Sequence, residues 1–469
     1  MRWNPRLPRG GGPVYRAIAD ALEADIKAGR LGAGDALPTQ RDLAERLGVN
    51  FTTVTRAYAE ARRRGLLDAR VGSGTFVAGA PNGSAASTAA VPEETRDVDL
   101  SVNAPPVPAW MGGALRATIE SVGADGDVVR QMLTYRTRRG DAMAREAGVA
   151  WLRGRGIDAS AERVAVTGGA QHALALLLAT LARPGDTVLV EALCYPGLEG
   201  SAASAGVRLV GVPVDEEGLR PDALDAACRR HGATLLCCVP TLQNPTTAVM
   251  SLARRQAIVD VARRRGLRVV EDDICGPLLQ DAATPLAALA PDVVTYVGSL
   301  SKCVAPGLRT AFVLAPSRDD AARLDAAVRA SVLMLSPLPL AVAASWVADG
   351  TAARAVADIS REAAARGALA RALLGAPNVS APAGSIHAWL RLPSTWTVAG
   401  FVAEAQQQGI RVTPADWYVR PDGSARPAPV PNAVRLALGS APDRAALERA
   451  LRALAAILAH EPARRAPTL

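Results

Sequence analysis

Lysine is nearly missing from this 469-residue chain: Lys27 and Lys302 are the two, and the remaining 51 of its 53 basic residues are arginine. Where a site needs only positive charge, such a composition supplies arginine. A retained lysine therefore points to chemistry that a guanidinium does not perform. No apolar run is long enough for a helix that crosses a bilayer. The arginine-rich start, MRWNPRLPRG, lacks the apolar core of a secretory signal. The six cysteines, at 194, 228, 237, 238, 275 and 303, form no CxxC pair, and the four histidines are scattered. That spacing argues against a metal cluster or a disulfide framework and for a reducing compartment, so a cytoplasmic protein is expected. Internal repeats are missing too.

What is present suggests two or three domains, with 49% apolar and 21% charged residues, a globular balance. Charge is unevenly placed. Residues 1–78 carry 13 basic and 8 acidic side chains, a net of +5 out of +8 for the chain. In this head, PVYRAIADALEADIKAG sets Val14, Ile18, Leu22 and Ile26 on one helical stripe. LPTQRDLAERLGVNFTTVTRAYAEARRRG then reads as two helices broken at Gly48. Thr39 and Asp42 resemble a capping box for the first, Asn50 can cap the second, and Val54, Tyr58 and Ala61 face inward. GLLDARVGSGTFVAG reads as two short strands around Gly72, Ser73 and Gly74. Periodicity alone leaves two readings open, a DNA-binding helix-turn-helix with a wing or a small helical protein-interaction domain.

The words of the segment decide between them. LPTQRDLAERLGVNFTTVTRAYAEARRRGLL…GSGTFV resembles the winged helix-turn-helix of GntR-type bacterial repressors over roughly residues 13–78. The resemblance implies that Arg41, Thr52, Thr53 and Arg56 contact double-stranded DNA and that Gly74, in the wing, lies close to the duplex. Arginine can pair with guanine or phosphate, and threonine hydroxyls can contact either. Residues 79–97 are small and polar and read as a flexible linker spanning about 25 Å.

From residue 98 the chain alternates strands and helices. Strand candidates are RVAVT, TVLVE, RLVGVPV, LLCCVP, LRVVED, VVTYVG and AFVLA, separated by helices such as AQHALALLLATLA and RRQAIVDVARRRG. This predicts an α/β body with a mostly parallel sheet, ligands at the carboxyl ends of its strands, and a smaller C-terminal subdomain. Five segments sit where strands end. TGGAQHAL is a glycine turn opening a helix, an arrangement that can bind phosphate. EALCYPG places Tyr195 after a strand, where a half-buried core tyrosine is the commoner reading of the residue in isolation. LQNPTT holds Asn244, VVEDDICG ends a buried strand in three acids, and GSLSKCVAPGLR contains Lys302.

Together these segments resemble, in order and wording, the fold-type I aminotransferases that use pyridoxal 5′-phosphate (PLP), over approximately residues 98–460. PLP is an aldehyde, held covalently by an amine that can lose its proton. A desolvated lysine ammonium can do so, and a guanidinium with a pKa above ~12 does not. The resemblance makes Lys302 the Schiff-base lysine. It implies that Asp272, rather than Asp273, faces the pyridine nitrogen, that Asn244 bonds the phenolic oxygen and that Tyr195 flanks the ring. It gives the phosphate to Ser299, Ser301, Arg309, Gln171 and the backbone of Ala170, with Tyr135 reaching a partner subunit's phosphate. Arg435 is the expected fork for an effector or substrate carboxylate.

Several positions depart from the family pattern, among them the arginines at 136, 138 and 139 beside Tyr135. Cys275 stands where tyrosine is common, Ala170 where serine is frequent, and Thr247 where the NPTG turn has glycine. A GntR-like head on an aminotransferase-like body resembles the MocR-type transcriptional regulators over nearly the whole chain. That resemblance implies a homodimeric regulator, heads docking on partner bodies, that carries PLP and in which a small amino compound, or PLP itself, controls binding to an operator. The other reading is a working PLP-dependent aminotransferase with an accessory head, favoured by Asp272 and Arg435 and opposed by Cys275.

Overall fold

The head's first helix, α1 (Val14–Lys27), buries Ile18 and Leu22 in a core shared with Leu43 of α2 (Gln40–Leu47) and with Val54, Tyr58 and Ala61. Ile18, Leu22, Val54, Tyr58 and Ala61 are inward positions that the helical stripes predict, and Ile26 packs half-buried against the same core, while the side chain of Val14 lies outside the described residues. Gly48 ends α2 with φ 61°, and the Val49 N–H reaches back to Ala44 O at 3.1 Å, a closure suited to glycine because the left-handed region is unstrained only without a Cβ. The Tyr58 hydroxyl donates to Pro38 O at 2.9 Å. Strands β1 (Leu67–Arg70) and β2 (Gly74–Val77) pair antiparallel, with Arg70 opposite Gly74. Gly74 is thus the first residue of the second strand.

The computed structural model divides the chain into two units, residues 1–92 and 93–469. It describes residues 97–135, 142–423 and 430–460, and within the head 3, 5, 14–28, 30–32, 35, 37, 38, 40–49, 53, 54, 57, 58, 60, 61, 66–70 and 74–77. Apart from Asp97, the expected linker lies outside the described residues, as do Thr39 and Asn50.

All seven strand candidates of the body join one sheet. In chain order they are β3 (Val164–Thr167), β4 (Thr187–Glu191), β5 (Arg208–Val212), β6 (Leu235–Cys238), β7 (Arg268–Asp272), β8 (Val294–Ser299) and β9 (Ala311–Leu314), arranged β3-β9-β8-β7-β6-β4-β5. Every pairing is parallel except those of β9, which runs against both neighbours. Both faces are covered, so the strands read as continuous apolar runs. Val188, Val190, Val270 and Val313 pack on one side with Leu174 and Leu177 of helix α3 (Ala170–Leu181). Leu189, Val269 and Phe312 pack on the other with Ile258 and Val259 of α4 (Leu252–Arg265).

The C-terminal subdomain is an antiparallel sheet of β10 (Val379–Ser380), β11 (Ala388–Arg391), β12 (Thr413–Pro414) and β13 (Ala433–Leu436), in the order β10-β11-β13-β12. Its core includes Phe401, Leu447 and Leu451, together with Val98 and Leu100 from the start of the body. Residues Val98–Asp99 pair with Ile410–Arg411. The sequence places this subdomain in the later half alone; the structure adds residues 98–100 to it. From there the chain crosses to the sheet, and Ser101–Asn103 enter the cavity described next.

Candidate functional site

One cavity of about 560 Å³ opens at the carboxyl ends of the sheet strands. It gathers Ala170, Gln171, Tyr195, Asn244, Asp272, Ser299, Ser301, Lys302, Arg309 and Arg435, all named from sequence, and is also lined by Cys275. Tyr135 is not among its lining residues and stands 78% exposed.

Period-two alternation along β7 sorts the three acids, Glu271, Asp272 and Asp273. Glu271 accepts the N–H groups of Leu286 at 3.0 Å and Ala287 at 2.8 Å, with Arg255 at 3.6 Å. Asp273, fully buried, accepts from Arg155 Nε at 3.0 Å and Nη2 at 2.9 Å and from the Tyr296 hydroxyl at 2.8 Å. Asp272 has no such partner. It projects from the opposite face into the cavity, and its Oδ1 is buried without a hydrogen bond. Burial, then the neighbouring Asp273 charge, pushes its carboxyl up to about 7, against the opposing pull of the Ile274 N–H and Lys302. A buried carboxyl with one oxygen left unbonded is expensive unless a cationic or donor group comes to it.

Lys302 is depressed below the ordinary lysine range, first by burial and then by the Arg435 and Arg309 charges, with Cys275 and Asp272 opposing. Its Nζ donates to the carbonyl of Asn103. The lowered pKa is the property that makes an amine nucleophilic. Burial pushes the neighbouring Cys275 thiol the other way, up to about 12.

Beyond Lys302 lies an anion cradle. β3 runs through Gly168 and Gly169 into α3, whose first N–H groups have no intrahelical acceptor. Arg309 donates to Gly168 O at 3.1 Å. Gly169 has φ 92°, and a Cβ there would lie 2.8 Å from Arg309 Nη2, so only glycine admits the guanidinium. Ser299 Oγ lies 3.0 Å from Ser301 Oγ and accepts the Ser301 N–H at 3.2 Å. Gln171 has a different employment: its amide donates to Gly197 O at 2.8 Å and Ser201 Oγ at 2.9 Å, fixing the turn that carries Tyr195. A Cβ on Gly197 would strike the Tyr195 ring at 2.4 Å, so this glycine lets the ring fold back over the turn.

At the other end, Arg435 on β13 donates to Asn244 Oδ1 at 3.2 Å, to Thr413 Oγ1 at 3.3 Å and to the carbonyl of Ser101, and lies 5.5 Å over the Tyr418 ring. Its buried Nε has no hydrogen-bond partner. The Asn244 turn is cross-braced by residues that sequence reasoning missed. Gln243 Nε2 donates to Leu193 O at 2.6 Å, and Gln243 O lies 3.1 Å from His387 Nε2. Thr247, in the glycine position, has φ 64°, and its hydroxyl lies 2.6 Å from Ser380 Oγ on β10. Ser101, Val102, Asn103, Trp417 and Tyr418 also line the cavity unforeseen, because they come from segments without a motif.

In the head, Arg41 lies in α2, Thr53 is half-buried, and Gly74 opens β2, while Thr52 and Arg56 lie outside the described residues. Among the described residues no helix is long and apolar enough to cross a membrane, and no group of His, Cys, Asp or Glu could hold a metal ion.

The donor set fits PLP: an orphaned acid for the ring nitrogen, an amine that sheds its proton, and a serine–arginine–helix cradle for phosphate. Comparisons with known proteins agree. Residues 95–454 match the model for aminotransferase class I and II, whose cofactor is PLP, and residues 14–77 match that for bacterial regulatory proteins of the gntR family. The uncharacterized HTH-type transcriptional regulator YdeF of Bacillus subtilis is 30% identical, covering 89% of this chain and 90% of that protein. The probable rhizopine catabolism regulatory protein MocR of Rhizobium meliloti is 29% identical over 65% of this chain and 66% of its own length. An archaeal alanine:glyoxylate aminotransferase superposes with a TM-score of 0.70 at 22% identity, covering 78% of this chain and 91% of its own, which establishes the shared fold. The chain belongs to the MocR-type transcriptional regulators, in which a GntR-type helix-turn-helix head is fused to a body of the aminotransferase class I and II family.

Proposed function

We propose that this chain is a cytoplasmic homodimer that binds an operator through residues 1–78 and senses an amine through residues 98–469, the two parts joined by the linker at 79–97. The observation that carries the sensing role is the meeting of Lys302, Asp272 and Arg435 in one cavity. Bound there, PLP would supply an electrophilic aldehyde on an electron-withdrawing ring. Lys302, already inclined to release its proton, would hold that aldehyde. Asp272 would keep a proton on the ring nitrogen, and Asn244 and Tyr195 would bond and flank the ring. Ser299, Ser301, Arg309 and the N–H groups at Ala170 and Gln171 would take the phosphate, with Tyr135 reaching across to the partner's site. Arg435 would grip the effector's carboxylate as a two-pronged fork.

The switch follows from what Arg435 holds. It bonds Asn244 on one side and Ser101 on the other, joining the large sheet's turn to the subdomain. A carboxylate on Arg435 competes for those bonds and so favours one closure of the body over another, the differential affinity a ligand needs in order to act as a signal. The heads, exchanged between subunits, would carry that difference to their spacing on DNA. In this scheme Arg41, Thr52, Thr53 and Arg56 contact the duplex, with Gly74 beside it.

A second reading, catalytic transamination, is favoured by Asp272 and Arg435 and weakened by Cys275, whose thiol is a poor substitute for a phenol. DNA binding to the gene's own upstream region, measured with and without PLP and candidate amines, tests the regulator. A shift in affinity or footprint that needs both ligands is expected. An unchanged footprint together with many turnovers of amino acid and keto acid would replace it with the enzyme.

A further inference from the structure

Two exposed apolar side chains stand in the cavity with no part in holding the cofactor. Val102 is 57% exposed and Trp417 63% exposed, and both line the space beside Arg435. Their placement is built. Val102 lies between Ser101, whose carbonyl receives Arg435, and Asn103, whose carbonyl receives Lys302. A molecule with its amine at Lys302 and its carboxylate at Arg435 must therefore pass along Val102.

Trp417 is presented by a pinned turn, residues Ala415–Tyr418. Ala415 and Tyr418 are buried, Tyr418 O accepts the Cys194 N–H at 2.9 Å, and the Arg420 N–H donates to Ala192 O at 2.8 Å. The indole thus has an anchored base and an open face. The charged side chains lining the cavity among the described residues are Asp272, Lys302, Arg309 and Arg435, each already matched to a group of the cofactor or to a carboxylate. Of the neutral lining, Val102 and Trp417 are the exposed large apolar side chains not assigned to the cofactor, beside the polar groups of Asn103, Thr413 and Tyr418.

Resting on the PLP reading above, we infer that the effector is an α-amino acid with an uncharged, apolar side chain, which packs between Val102 and Trp417 while Arg435 holds its carboxylate. Trp417 sets the preference. An apolar side chain covering both residues removes their exposed surface from water, a discrimination worth roughly tenfold or more over a ligand that cannot reach them. A ligand with a second carboxylate, or with its amine at the far end of the chain, would place charge against the indole.

The test uses the full chain loaded with PLP and measures the binding of leucine, phenylalanine, alanine, glutamate and 4-aminobutyrate by calorimetry, with the cofactor absorbance as a second readout. Leucine and phenylalanine should bind at least about tenfold more tightly than alanine, glutamate or 4-aminobutyrate. Trp417→Ala should erase most of that advantage while leaving alanine's affinity and the PLP spectrum unchanged. Val102→Ser should do the same in part, which guards against a folding defect in either variant. Glutamate or 4-aminobutyrate binding as tightly as leucine overturns the inference, as does a preference that survives both substitutions. Wild-type protein that takes up no PLP overturns the cofactor reading and this inference with it. Normal PLP uptake without the preference overturns this inference alone.

Discussion

Replacing Asp272 by asparagine should make the cofactor-free protein more stable and the cofactor more weakly held. In the folded chain the Asp272 carboxyl is pushed from an ordinary 3.8 to about 7, chiefly by burial. Between those values the folded state keeps a proton that the unfolded state has released. The stability this group contributes is therefore fully present below 3.8, declines as pH rises, and levels off above about 7. Each pH unit in that window is worth about 1.4 kcal/mol, so the whole interval is worth roughly 4 kcal/mol. Asparagine keeps the shape and does not titrate. The stability difference, variant minus wild type, should thus grow by about 2 kcal/mol between pH 5 and pH 7 and level off by pH 8. Urea unfolding of PLP-free protein at those pH values reads it directly, since titrations common to both proteins largely cancel. PLP affinity should move the other way. Loss of a hydrogen bond to a charged group, about 1.5–3 kcal/mol, weakens binding by roughly one to two orders of magnitude. A difference that does not change with pH, or a variant that binds PLP as well as wild type, would refute the assignment of Asp272 as the unpaired acid awaiting the ring nitrogen.

Gly169→Ala introduces a Cβ 2.8 Å from Arg309 Nη2 at a φ of 92°, and should weaken PLP and free phosphate binding about tenfold by displacing the guanidinium, read by equilibrium dialysis. Arg56→Ala should lower operator affinity and flatten its salt dependence by about one phosphate contact while leaving PLP uptake unchanged; a variant that binds as tightly as wild type at each of several salt concentrations would count against placing Arg56 on DNA.

The sequence spoke most clearly where chemistry demands one residue type. Lys302 stood out because the chain otherwise avoids lysine, and Asp272 and Arg435 followed from short local patterns. All three line one cavity. The strands were legible as continuous apolar runs because both faces of the sheet are covered. The reversed direction of β9 was not, since an apolar run carries no polarity. The choice between Asp272 and Asp273 acquires its physical reason only in three dimensions, through Arg155 and Tyr296, which come from distant segments and occupy Asp273. Ser101, Asn103 and Trp417 were invisible for a similar reason: they reach the site through backbone carbonyls and a pinned turn, neither of which leaves a pattern in the sequence. Thr247 could be recognised as a departure from glycine, but not its contact with Ser380, which belongs to a strand 133 positions away.

With two lysines in the chain, the most direct measurement is unusually clean. Protein treated with PLP is reduced with borohydride, digested, and its peptides weighed, alongside Lys302→Arg prepared the same way. A phosphopyridoxyl mass on the peptide bearing Lys302, lost in the arginine variant whose guanidinium keeps its proton, is the expected outcome. A label confined to Lys27, or none at all, would remove the cofactor from this cavity.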